Sequence, residues 1–259
     1  MGIVDELLSP ILDHLARKNP GGVVGVYLFG STVDGGAKPD SDVDLLMLTD
    51  RSLNRSERAD LVSLLLPLSG WKRHASDHPD AASRRPIELT GIAIGSERPF
   101  TVQPGNDFQY GEWLRDSMLA GELPAPADDP DTVPLVATAL TAYRVLAGPA
   151  LDGLVAPIPS HRLRDGLLAT IPDILQEIEG DERNTLLALA RTIVTLETGT
   201  IAPKDVAADR IAPTLSATDR ELLERARDGY LGRTDDRWDG CAPAVTVLAH
   251  HLAVRAHAR

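Results

Sequence analysis

Apolar positions recur at helical spacing from the start of the chain. Ile3, Leu7, Leu8, Ile11, Leu12 and Leu15 fall on one face of a helix over residues 3–17. Asn19-Pro20-Gly21-Gly22 stops it. The pattern then changes to short β-rich runs, Val23 to Phe29 and Val43 to Leu48, the second too apolar to face water on either side. A loop or helix start over Gly30 to Ser41, broken by Gly35, Gly36 and Pro39, separates them. Ser52 to Leu66 reads as a helix, Lys72 to Arg85 as a polar, basic stretch, and Pro86 to Ile94 as a third strand.

Beyond Ile94 the texture shifts. Residues 96–131 mix Pro, Gly and acids, as a connector does, and from Thr132 onward strand signals vanish. Helical patterns cover about 133–147, 161–178, 182–198, 216–229 and 241–257. In the 182–198 segment Leu186, Leu187, Leu189, Ala190, Ile193 and Val194 form a wide face suited to burial. The expected fold is α+β. An N-terminal domain over 1–125 carries a mixed sheet with flanking helices, an all-α bundle covers 126–259, and the ligand site lies in the cleft between them.

Composition narrows the class. The 259 residues are 43% hydrophobic and 25% charged, which excludes a disordered or collagen-like chain. A single cysteine, Cys241, excludes an intrachain disulfide and a multi-cysteine zinc site. No apolar run is long enough to span a bilayer, and the acidic, amphipathic start does not resemble a signal peptide, so a cytoplasmic protein with no membrane partner is expected. The formal charge of −12 disfavours a nucleic-acid partner and would attract a small polycation. Oligomeric state is left open, a monomer being favoured.

The chemistry concentrates in one ordered set. A strand ends at Phe29-Gly30-Ser31, ten residues intervene, and Asp42-Val43-Asp44 opens the next strand. Strand alternation points Asp42 and Asp44 one way and Val43 and Leu45 the other. Two carboxylates that close repel, and a hard divalent cation such as Mg²⁺ relieves the repulsion. Gly30 permits close backbone approach, and Ser31 with nearby N–H groups can hold phosphate oxygens. On the third strand Glu88 alternates with Ile87 and Leu89, so if that strand lies beside the second, Glu88 joins the aspartates as a third ligand or as a general base. His161, His250, His251 and His257 have no metal-like partners, and Arg84 and Arg85 read as solvent-facing.

This set resembles the signature of the nucleotidyltransferase superfamily. More narrowly, the chain resembles the aminoglycoside adenylyltransferases that modify streptomycin and spectinomycin. The resemblance rests on Leu28-Phe29-Gly30-Ser31, Ser41-Asp42-Val43-Asp44-Leu45-Leu46, Gly111-Glu112-Trp113-Leu114-Arg115, Gly180-Asp181-Glu182-Arg183-Asn184, Ile201 to Asp209 and Tyr230-Leu231-Gly232. It implies ATP as co-substrate, Mg²⁺ on Asp42 and Asp44, and Glu88 as catalytic base. It implies ATP contacts from Ser31, Ser41, Asp131, Arg191, Lys204 and Tyr230, of which Arg191 and Lys204 are cations expected on helices. It places Trp113 and Asp181 against a cationic aminocyclitol, an acid and an aromatic face being apt partners for such a ligand.

Members acting on both drugs carry a Trp nine residues before the acid matched by Asp181 and an Asp four residues before it. Those positions here are Pro172 and Glu177. Proline offers no aromatic face and disturbs a helix, while Glu177 keeps the charge. The resemblance therefore implies adenylylation of the spectinomycin 9-hydroxyl, with a dual 3''/9 enzyme as the alternative. Two further alternatives are a silent nucleotide-binding or antitoxin-type module and nucleotidyl transfer to another acceptor. Retention of Asp42, Asp44 and Glu88 argues against the silent module.

Overall fold

The computed structural model describes residues 3–33, 38, 41–72, 75–176 and 178–259. They form two units, one of the described residues up to Ile158 other than Lys38, and one of Lys38 with Pro159–Arg259. No helix among the described residues is long and apolar enough to cross a membrane.

The first unit is built on a five-stranded sheet in the order β4-β3-β2-β1-β5. Its strands are β1 (Val23–Phe29), β2 (Val43–Thr49), β3 (Ile87–Ala93), β4 (Phe108–Tyr110) and β5 (Tyr143–Ala147). β2 and β3 run parallel, and the other neighbours are antiparallel. A parallel pair needs a long crossover, and the chain between β2 and β3 supplies it, including α2 (Arg55–Leu68). Alternation sends Val43, Leu45 and Met47 of β2 to one core, with Leu8, Ile11 and Leu15 of α1 (Ile3–Lys18) and Leu61 and Leu65 of α2. Leu46 and Leu48 go to the opposite core, with Tyr27, Phe29 and Ile92. The sheet centre is therefore covered on both faces, as its unbroken apolar runs predict.

The two units divide after Ile158, later in the chain than the domain boundary expected at 125. The expected helix over 133–147 is α4 (Thr132–Thr141) followed by strand β5, so strand structure does not end at Thr132. Val133 and Val136 of α4 pack into the second sheet core, and β5 pairs with β1, which ties both elements to the sheet. The expected connector also holds structure: β4, a 3₁₀ turn over Glu112–Leu114 and α3 (Arg115–Leu119).

The second unit contains α5 (Ser160–Ala169), α6 (Ile171–Gln176), α7 (Glu182–Thr198), α8 (Lys204–Ile211), α9 (Ala217–Tyr230) and α10 (Ala242–His257). α7 is its centre. Leu186, Leu187, Leu189, Ala190, Ile193 and Val194 are all buried, among Ala207 and Ile211 of α8, Leu223 and Ala226 of α9, and Leu248 and Leu252 of α10. The helix expected over 161–178 is broken at Thr170. Pro172 sits in the first turn of α6, where its missing N–H costs no intrahelical bond. A buried ion pair, Arg183 to Asp236 at 3.2 Å, links α7 to the chain after α9, and the Trp238 indole N–H also donates to Asp236 at 2.7 Å.

Candidate active site

Parallel register sets Asp44 directly beside Glu88, and antiparallel register sets Phe29 opposite Asp44. Asp42, Asp44 and Glu88 each offer a carboxylate oxygen, and those oxygens lie within 4.8 Å of one another, on half-buried side chains. Three carboxylates in so small a volume are costly when all are ionised. An all-oxygen donor set of this kind fits a hard dication such as Mg²⁺.

The approach to the acids is shaped by Gly30. It opens a 3₁₀ turn over Gly30–Thr32 with φ of 70°, and an added Cβ would collide with the Asp44 carboxylate. Ser31 follows it on the same turn, half-buried. The Thr32 hydroxyl donates to the Asp42 carbonyl at 3.2 Å, joining that turn to the start of β2. On the other side, Arg85 donates to the Ser41 carbonyl at 2.6 Å, and the Val43 N–H donates to the Pro86 carbonyl at 2.8 Å. Arg85 thus binds the segment leading into β2 to the segment leading into β3, and is not the solvent-facing residue expected. Ser41 is buried at this junction.

A polar network lies behind β3. Glu112 and Arg115 are 4% and 5% exposed and form an ion pair at 2.7 Å. Glu112 also accepts from the Ser69 hydroxyl at 2.5 Å and from the Tyr110 phenol at 3.3 Å. Burial, then the nearby Glu112 charge, push the Tyr110 phenol up to about 12. Arg115 caps the end of α2 by donating to the Leu66 and Ser69 carbonyls at 3.1 and 2.9 Å. Between Glu112 and Arg115 the chain turns outward, and Trp113 is 56% exposed. Its ring lies so close to Gly111 that a side chain there would overlap it. Sequence reasoning missed Ser69, Arg85 and the Glu112–Arg115 pair. The acid and base three residues apart were the available signal for that pair.

The other expected site residues are dispersed in the chain. Asp131 is exposed at the start of α4 in the first unit. In the second unit, Asp181 precedes α7 and accepts from the Asn184 amide at 2.8 Å. Arg191 is half-buried on α7, Lys204 is the first residue of α8, and Tyr230 is the last of α9. Glu177 lies outside the described residues.

A mixed sheet bearing a Gly-Ser turn, with Asp42 and Asp44 at the start of β2 and Glu88 beside them on β3, defines a nucleotidyltransferase, and residues 8–95 match the family model described as a nucleotidyltransferase domain. Residues 153–255 match the model of the aminoglycoside adenylyltransferase C-terminal domain. The chain is 38% identical over 230 residues to a spectinomycin 9-adenylyltransferase of Staphylococcus aureus, covering 89% of this chain and 86% of that one. It is 32% identical over 251 residues to an aminoglycoside (3'') (9) adenylyltransferase of Escherichia coli, covering 96% and 93%. Its fold matches a crystal structure of an Enterococcus spectinomycin adenyltransferase, AAD(9), with ATP and spectinomycin, at a TM-score of 0.85 and 27% identity, covering 97% and 98% of the two chains. The chain belongs to the aminoglycoside adenylyltransferase family.

Proposed function

We propose that this protein transfers AMP from ATP to the 9-hydroxyl of spectinomycin and releases pyrophosphate. The carrying observation is the Asp42, Asp44 and Glu88 cluster in a chain 38% identical to a spectinomycin 9-adenylyltransferase. Asp42 and Asp44 would hold Mg²⁺, which when bound neutralises charge on the phosphate oxygens. Glu88 accepts the proton of the attacking hydroxyl as its oxygen forms a bond to the α-phosphorus and the bond to pyrophosphate breaks. Ser31, Ser41 and Asp131 of the first unit and Arg191, Lys204 and Tyr230 of the second are the proposed ATP contacts. Cationic and hydroxyl donors of that kind suit a triphosphate. Trp113 and Asp181 are proposed to receive the drug, with Glu177 as a further acid.

The alternative of a dual enzyme is kept open by the 32% identity to a (3'') (9) enzyme. Against it stands Pro172, which offers no aromatic face in the first turn of α6. The test is incubation of the purified protein with labelled ATP, Mg²⁺ and a panel of hydroxyl acceptors. Adenylyl-spectinomycin and pyrophosphate are expected, with streptomycin a poor acceptor or none. Strong streptomycin transfer with little spectinomycin transfer would overturn the assignment, and bound ATP with no transfer to any acceptor would favour a silent nucleotide-binding module.

A further inference from the structure

The geometry points to Glu112 and Ser69 as positioning residues for adenylyl transfer, forming one buried clasp that ties the strand carrying Glu88 to the turn carrying Trp113. This rests on the roles proposed above for those two residues.

The clasp begins at a gap in the sheet. β4 pairs with β3 only from Leu89 to Gly91, so its ladder does not reach Ile87. The Ser69 hydroxyl takes that place, accepting from the Ile87 N–H at 3.0 Å. The same hydroxyl donates to Glu112 at 2.5 Å. The Pro86–Ile87 peptide, one residue before the peptide that joins Ile87 to Glu88, is therefore two hydrogen bonds from the Glu112 carboxylate. Glu112 is the immediate neighbour of Trp113, and its second oxygen is held by Arg115 at the far end of the same turn. Arg115 returns to the Ser69 carbonyl at 2.9 Å and closes the ring. Ser69 is wholly buried and Glu112 nearly so. A desolvated network of charged hydrogen bonds resists displacement more than an exposed one. A shift at the turn is transmitted to the first residues of β3, and the reverse holds as well. Neither residue touches the reacting atoms. Their contribution is to hold the base and the aromatic face in one fixed relation, where misplacement by an ångström is costly in rate.

The test uses Ser69→Ala in the full chain, with Tyr27→Phe as a control for lost stability. Tyr27 donates a buried hydroxyl bond to the Pro149 carbonyl at 2.9 Å, on the opposite face of the sheet from the clasp core. For Ser69→Ala, ATP affinity by calorimetry should stay within about 2-fold of wild type. Its kcat should fall at least about 10-fold and KM for spectinomycin should rise at least about 3-fold. Tyr27→Phe should lower the melting temperature and leave both constants, per folded molecule, unchanged. Hydrogen exchange in the free protein gives a readout independent of activity. Ser69→Ala should accelerate exchange at Ile87 and, together with it, at Leu114, whose N–H closes the turn on Gly111. Wild-type kcat and KM in Ser69→Ala, or faster exchange at Ile87 alone, would overturn the clasp. Should Ser69→Ala fail to fold, Tyr110→Phe carries the same test, with smaller shifts expected in the same direction and none overturning it. Absence of transfer to spectinomycin by the wild type would sink the proposed function instead, and the exchange experiment would still decide the clasp.

Discussion

Glu88 sits beside Asp44 by strand register, and the two acids differ in what they are proposed to do. Glu88→Gln keeps shape and hydrogen-bonding capacity but removes the base. It should retain ATP binding while kcat falls about 10²–10⁴-fold, as loss of a general base generally costs. Asp44→Asn should weaken Mg²⁺ and productive ATP binding together, so calorimetry with Mg·ATP separates the two variants. Turnover near wild type in Glu88→Gln would remove it as the base. Gly30 makes a further residue-level prediction. Its positive φ and the Asp44 carboxylate beside it both oppose a side chain. Gly30→Ala should lower stability by at least about 1 kcal/mol, measured by denaturant unfolding, and should depress activity further by moving Asp44. Wild-type activity in that variant would mean that the turn and the acid are not in the contact described.

At the scale of elements, the start of α2 is tied to two strands of the sheet. Asn54 caps α2 by accepting from the Glu57 N–H at 3.0 Å, and the Glu57 carboxylate accepts from the Asn54 N–H at 2.8 Å, a reciprocal capping box. Glu57 also accepts from the Gly21 N–H at 3.1 Å, just before β1, and from Arg51 at 2.7 Å, just after β2. One carboxylate thus links a helix start to two strand ends. Arg51 first, with the backbone donors of Asn54 and Gly21, holds the Glu57 carboxyl at about 2, below its usual 4.5. A carboxyl whose folded value is depressed stabilises the protein above its unfolded value, and that stabilisation is lost as pH falls through the folded one. Unfolding free energy should therefore decline between about pH 4.5 and 2. In Glu57→Gln the slope over that window should be shallower and the protein less stable at neutral pH. An unchanged slope would show that Glu57 is not held by this network.

On the scale of the whole molecule, the proposed ATP contacts are divided between the sheet unit and the helical unit. An acid cluster cannot by itself balance a triphosphate, so Arg191 and Lys204 are proposed for that task. If ATP draws on both units, its binding should order the drug-binding residues as well. Spectinomycin affinity by calorimetry should then be higher with Mg·ATP than without, and linkage requires spectinomycin to raise ATP affinity by the same factor. Equal drug affinity in the two conditions would count against shared assembly.

Much of this was readable along the chain. The strand over Val23–Phe29, the β2 run and the α7 face are where their apolar periods place them, because strand and helix periods differ enough to separate by eye. The spacing from Gly30 through Asp42 and Asp44 was legible for the same reason, since alternation points the two aspartates one way, whereas Glu88 meets them because β2 and β3 pair in parallel register. What the chain did not reveal was set by partners far away in sequence. β5 has mostly exposed side chains, and its strand form comes from pairing with β1 more than 110 residues earlier. β4 is three residues long, too short for a period to show. The break at Thr170, the Arg85 bond to the Ser41 carbonyl and the Ser69–Glu112–Arg115 clasp follow from which groups folding brings together and buries. Local sequence determines periodicity and the residue types available for chemistry. Tertiary structure decides which of those residues meet, because a buried polar group must find a partner and the chain topology selects it.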